Sequence, residues 1–234
     1  MMKRVISLFL SFLLLLNIAP ALAAGRLTVA QENFYCVEGY GYEGYVFAKL
    51  ENTGNKPIMV NSAVFEIFGA DEDVIGSTTY FTAYAQYLEP GEYTYLEAST
   101  DLKGIQSADE ADDYMLSVSG KSEMDKKTVR LACACEYKEN VQSGYSTYNY
   151  MYATVTNNTA QPLYGLRVVF ALLDADGNLL YVKGDGLTSD QALMPGSSVI
   201  IRVYVHPDFA GFMKQNRLVP ARLDAIAYAY ADRE

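Results

Sequence analysis

The chain has 234 residues, half of them apolar, and 28 Asp and Glu against 18 Lys and Arg leave a formal net charge of −10. That apolar share is enough to bury real cores, so disorder is excluded as the main state. A surface this acidic repels phosphate backbones, which bind through clusters of Lys and Arg that are missing here, and nucleic acid is excluded as a partner.

In chain order, the first element reads as a secretory signal. Residues 1–23 set Lys3 and Arg4 before the apolar run "VISLFLSFLLLLNIA" and finish on Ala21-Leu22-Ala23, a small-residue cleavage pattern. The run, of roughly 15 residues, is shorter than the ~20 that a spanning helix needs, so the mature chain is expected to begin near Ala24 without a membrane span. No Cys follows the cleavage pattern and the C-terminal "AYAYADRE" carries no apolar tail, so a secreted or surface-held product is expected. Loss of Lys3 and Arg4 leaves 16 cations facing 28 anions, a net of −12.

The rest of the chain is organised by an internal repeat. An offset of 105 sends Tyr40 to Tyr145, Asn52 to Asn157, Pro57 to Pro162, Phe65 to Phe170, Asp71 to Asp176, Pro90 to Pro195 and Gly91 to Gly196 without a gap. Matches on turns and apolar positions alike predict two copies of one domain, 26–122 and 123–234, divided at the polar stretch "GKSEMDKK". Within each copy the period is two. In "YVFAKL" Val46, Ala48 and Leu50 alternate with Tyr45, Phe47 and Lys49, and "YMYATV" alternates Met151, Ala153 and Val155 with Tyr150, Tyr152 and Thr154. The turns "ENTGNKP" and "TNNTAQP" lead into the strands "AVFEIFG" and "RVVFALLD", in which Phe65 and Ile67, or Phe170 and Leu172, share a face. Bends at "ADED" and "ADGN" return the chain through "VIGST" and "LLYV". The turns "LEPGE" and "LMPGS" open "YTYLEA" and "VIIRVYV", and "DYMLSVSG" and "LDAIAYAYA" close the copies. One short helical turn is expected before each closing strand, in "DLKGIQS" and "DFAGFMKQ". Short strands with turn signals every 8 to 12 residues predict an all-β fold, two tandem antiparallel β-sandwiches.

The stretch "TVTNNTAQPLYGLRVVFALLDADGNLL" followed by "LMPGS" resembles the FxLYD family of bacterial extracellular domains. Phe170, Leu172 and Asp174 match the name motif, with Leu173 in place of its Tyr. In the first copy Phe65, Ile67, Phe68 and Gly69 stand at those positions, so the first Asp is absent. The resemblance implies an immunoglobulin-like sandwich on a secreted or surface protein and no catalytic activity. Asp224 and Tyr228 are also similar to the Asp-x-x-x-Tyr of a tyrosine corner, whereas the first copy has Asp113 and Ser117.

The chemistry-bearing residues are few. Asp174, Asp176 and Asn178 offer three of the six or more oxygens a calcium loop needs, the Gly falls too early, and Gly69 replaces Asp174 in the repeat. Gly177 before Asn178 provides the positive φ of a hairpin turn, the favoured reading, and Ser107 to Asp113 reads as a solvated acidic loop. Cys36, Cys133 and Cys135 are an odd number. Cys133 and Cys135 would stand roughly 6.6 Å apart on one strand face, too far for a comfortable disulfide. Cys36 bonded to one of them, or three small buried thiols, are the remaining options, the latter favoured. The single His, His206 in "HPDFAG", has no nucleophile signature around it, so no catalytic residue and no cofactor is assigned.

Tyrosine stands out, 20 residues in a chain without Trp. Tyr148, Tyr150 and Tyr152 form a ladder on one strand face, with Tyr45 and Phe47 in the matching place of copy one. Such rings pair across strands or bury at a domain junction, and they also make flat amphipathic platforms for protein or glycan. The expected function is a secreted, non-catalytic binding or adhesion module at the bacterial cell envelope that makes protein or cell-envelope glycan contacts. A structural spacer without a ligand is the alternative.

Overall fold

The computed structural model describes residues 25–122 and 124–232, so the segment read as a secretory signal lies outside the described residues. Those described are almost wholly antiparallel β-structure. The first half contains β1 (Leu27–Glu38), β2 (Tyr42–Asn52), β3 (Ile58–Phe68), β4 (Val74–Thr78), β5 (Thr82–Ala83), β6 (Tyr87–Leu88), β7 (Tyr93–Asp101) and β8 (Asp113–Lys121). One of its sheets runs β1-β2-β7-β5, and the other runs β4-β3-β6 with β8 also paired to β3. The second half contains β9 (Lys126–Leu131), β10 (Cys133–Ser143), β11 (Ser146–Thr156), β12 (Leu163–Tyr164), β13 (Arg167–Leu173), β14 (Leu179–Gly186), β15 (Ala192–Leu193), β16 (Ser198–Tyr204), α1 (Pro207–Gln215) and β17 (Arg222–Asp232). Its sheets are β10-β11-β16, β14-β13-β17-β9 and the short pair β12-β15.

The 105-residue offset is present in the pairing itself. Tyr45 faces Ser99 and Tyr150 faces Tyr204; Phe65 faces Thr78 and Phe170 faces Lys183; Ile58 faces Leu88 and Leu163 faces Leu193. Even the bulge recurs, between Ile67 and Phe68 and between Leu172 and Leu173. A register slip of one residue would send a strand's apolar set to the wrong face, so matched registers follow from matched alternation. Val46, Ala48 and Leu50 join Phe65, Ile67 and Leu88 in the interior of the first half, and Met151, Ala153 and Val155 lie in the core of the second.

Three details depart from the sequence reading. β1 and β10 were not anticipated, because "LTVAQENFYCVE" alternates weakly between apolar and polar residues. The second expected helical turn is a nine-residue helix, α1, started by Pro207 and buried through Phe209 and Met213, while only Ala108–Glu110 turns in the first half. Asp224 makes no tyrosine corner with Tyr228: its Oδ2 accepts from the hydroxyls of Tyr93 at 2.9 Å and Tyr95 at 2.6 Å, both from the first half.

Those two bonds belong to a broad junction. The outer face of β1-β2-β7 presents the rows Gln31-Lys49-Tyr95, Asn33-Phe47-Glu97 and Tyr35-Tyr45-Ser99, and the edge strand β14 with α1 lies across it. Asn33 Nδ2 and Tyr35 Oη donate to the Leu179 carbonyl at 2.7 and 2.6 Å, Gln31 Nε2 donates to the Gly177 carbonyl at 2.9 Å, and Gly184 N–H donates to Tyr84 Oη at 2.9 Å. The unpaired backbone of an edge strand is thereby satisfied by side chains of the other half. Lys183 reaches Glu97 at 3.0 Å and Arg130 reaches Glu92 at 3.0 Å. Apolar contact between the halves is continuous, since Phe47, Tyr84 and Tyr95 are buried in the same cluster as the second half's core.

Candidate functional site

Tyr45 and Phe47, two of the residues singled out in the sequence, sit inside this junction. Phe47 is fully buried, its ring centroid 5.4 Å from Tyr181 and 5.5 Å from Phe209, so it presents no platform to a ligand. Tyr45 is half-buried, stands edge-on to Phe209 at 5.6 Å and donates its hydroxyl to Glu43 at 2.6 Å. Burial and then the Glu43 carboxylate hold its phenol well above the usual tyrosine range.

The other three lie on the face of the second half that corresponds to the covered one. β10-β11-β16 presents the rows Lys138-Tyr150-Tyr204, Glu136-Tyr152-Arg202 and Ala134-Thr154-Ile200. By the offset, Tyr150 stands for Tyr45, Tyr152 for Phe47, Arg202 for Glu97 and Tyr204 for Ser99. Here, among the described residues, nothing lies across the face. Ile200 is 64 % exposed and Tyr204 46 %, Lys138, Glu136 and Arg202 are exposed, and Tyr148 and Tyr152 are half-buried. Tyr150 is buried by its own neighbours: Tyr148 at 6.0 Å, Tyr152 at 5.7 Å, Tyr204 at 6.4 Å, and the Arg202 guanidinium 5.2 Å above its ring. Lys138 lies 5.3 Å over the Tyr152 ring and is paired with Glu136 at 2.7 Å. The result is a flat, pre-ordered surface of rings and cations, with little side-chain freedom left to lose on binding.

Arg202, Tyr204 and Ile200 were not singled out in the sequence, although the alternation of "VIIRVYV" puts all three on one side of β16. Lys138 and Glu136 gave no signal, because their strand was not recognised.

Tyr148 also borders a cleft of about 650 Å³ between the β10–β11 hairpin and α1, lined by Tyr137, Asn140, Asn149, Lys214 and Arg217 among others. Among the described residues Lys214 and Arg217 have no ion-pair partner. The Tyr137 hydroxyl is buried there without a well-formed hydrogen bond, beside the Asn149 and Glu139 side chains, and burial raises its pKa. At the tips of the two equivalent hairpins Tyr40 and Tyr145 are fully exposed.

The remaining sequence candidates resolve as structure. Asp174 Oδ1 accepts from the Asp176 and Asn178 N–H groups at 2.9 and 2.7 Å and Oδ2 from Asn178 Nδ2 at 2.8 Å, bonds that hold its carboxyl below the usual range. Asp174, Asp176 and Asn178 are thus tied up in a hairpin, with Gly177 at φ 87°. The acidic run is a capped turn, Glu110 Oε1 accepting from Gln106 and Ser107 N–H at 2.8 and 2.9 Å. All three thiols are free; Cys36 and Cys133 are half-buried, but Cys135 is exposed, against the expectation of three buried thiols, because β10 is an edge strand. Burial and then Asp109 push the Cys36 thiol up to about 11. His206 immediately precedes α1 and lies 3.7 Å from Asp208. Among the described residues no group of three or more His, Cys, Asp or Glu is placed to hold a metal, and no helix is long and apolar enough to cross a membrane.

No family model matches the chain, and no curated protein matches it. Among solved structures, red sea bream transglutaminase is similar at a TM-score of 0.20 and 11 % identity over 88 % of this chain and 31 % of that one. Similarity at that level carries no argument about fold or function.

Proposed function

We propose that this chain is a secreted, non-catalytic binding module of two tandem immunoglobulin-like sandwiches, 26–122 and 123–234. It works at the bacterial cell envelope and takes a protein partner on the β10-β11-β16 face. One observation carries the reading: the corresponding face of the first half is an aromatic sheet surface buried under another β-domain, and in the second half the same face keeps its rings but is uncovered. A solvent-exposed aromatic surface of this extent ordinarily marks an interaction site, and Tyr and Arg are the residues that dominate protein interfaces. The FxLYD resemblance of Phe170, Leu172 and Asp174 supports it, since that resemblance implies a sandwich on a secreted or surface protein. A spacer is the second reading, favoured by the many bonds that stiffen the junction.

The test is a pull-down with the chain starting at Ala24 against envelope proteins and cell-wall glycans, repeated with Tyr152→Ser and Tyr204→Ser combined. Retention on envelope protein that falls at least about tenfold in the double variant is expected, since truncating two interface anchors removes a few kcal/mol. Undiminished retention overturns the proposed face, retention on glycans alone reassigns the partner, and retention on nothing leaves the spacer.

A further inference from the structure

We propose that β8 is the seat of a symmetric dimer, in which it pairs antiparallel with β8 of a second copy of this chain. The two closing strands differ in their surroundings. β17 is paired on both sides, with β13 and, over Ala227–Asp232, with β9; among the described residues β8 pairs with β3 alone. The offset matches β9 to residues 21–26, which overlap the segment read as a secretory signal. Cleavage before Ala24 removes half of those six residues, and Gly25 and Arg26 lie outside any strand, so the outer backbone groups of β8 are open to another partner.

The sequence of β8 is complementary to itself when reversed about Ser117. In that register Asp113 faces Lys121 of the second copy, and Lys121 faces its Asp113. Both are exposed, and neither has an ion-pair partner among the described residues. Leu116 faces Val118 on the core side, and Met115, 43 % exposed, faces Ser119. Tyr114 faces Gly120, which puts no charged or bulky side chain opposite the ring. Every pair is thus opposite in charge, apolar with apolar, or neutral. Antiparallel is also the direction in which β9 meets β17. A two-fold axis at Ser117 joins β4-β3-β8 to its copy in one continuous sheet and leaves β10-β11-β16 unobstructed for its own partner.

Sedimentation of the chain starting at Ala24 across a dilution series is expected to show a monomer–dimer equilibrium. Lys121→Asp sets two like-charged pairs across the axis and is expected to weaken the dimer roughly tenfold, and Asp113→Lys with Lys121→Asp restores it. Register is read separately in a background with Cys36, Cys133 and Cys135 changed to Ser. There Ser117→Cys forms a disulfide-linked dimer on oxidation, and Ser119→Cys, which faces Met115, does not. A monomer at every concentration, a dimer indifferent to both charge changes, or equal cross-linking from the two cysteines overturns the proposal.

Discussion

Asn52 and Asn157 do the same work 105 residues apart. Both are fully buried. Asn157 Nδ2 donates to the carbonyls of Gln161 and Leu193, each at 2.8 Å, while its Oδ1 accepts from Thr159 N–H at 2.9 Å; Asn52 repeats this on Lys56, Leu88 and Gly54 at 2.8, 3.1 and 3.0 Å. A side chain with two donors and an acceptor closes a turn and ties it to the neighbouring strand pair at once. Asn157→Ala takes the Asn157 donor from the buried Leu193 carbonyl, while the Gln161 carbonyl keeps the Thr159 hydroxyl, and a loss of about 1–3 kcal/mol is expected in urea unfolding. Asn157→Asp is expected to be worse, because it sets a carboxylate against those carbonyls. The sequence showed these asparagines only as turn residues on matched positions; their burial depends on strands 36 residues further along the chain.

At the scale of the element, β7 is held to β17 through hydroxyls. Burial and then the Asp224 carboxylate push the Tyr93 phenol up to about 12, from 10.0 in the unfolded chain, and shift Tyr95 the same way. The folded state therefore favours the protonated phenol. This contribution to stability is fully present below pH 10 and is lost as pH rises from 10 through about 12. The expected result is a urea midpoint that is flat at neutral pH and falls over that window, and less steeply in Asp224→Asn, where the acceptor's charge is gone. The Pro-Gly turn of "LEPGE" announced a strand in "YTYLEA". It gave no sign of what covers Tyr93 and Tyr95, which share one side of the strand, because that cover belongs to the other half.

At the scale of the molecule, the halves form one body because the outer face of β1-β2-β7 is covered, with Phe47 and Tyr95 buried and the residues around them half-buried. Cleavage at a protease site placed between Lys121 and Lys126, the ends of β8 and β9, is expected to leave both fragments co-eluting on size exclusion until denaturant is added. Fragments that separate in native buffer would show that the covered row Asn33-Phe47-Glu97 does not hold the halves together. The same packing decides which aromatic residues are available to a partner. Phe47 and Tyr152 are equivalent in sequence and in register, yet one lies beneath β14 and α1 and the other faces solvent.

The sequence by itself determined the turns, the repeat and the strands other than such weakly alternating ones as β1 and β10, because period-two alternation, Pro-Gly turns and matched offsets are local properties that a chain carries wherever it folds. It also put Tyr148, Tyr150 and Tyr152 on one side of β11. Only the tertiary structure decided that Phe47 is buried and Tyr45 half-buried, that Arg202 and Tyr204 complete the face, and that Asp224 serves tyrosines of the other half. Those outcomes depend on which sheet face lies against which, and burial between distant segments leaves no periodic mark in either of them.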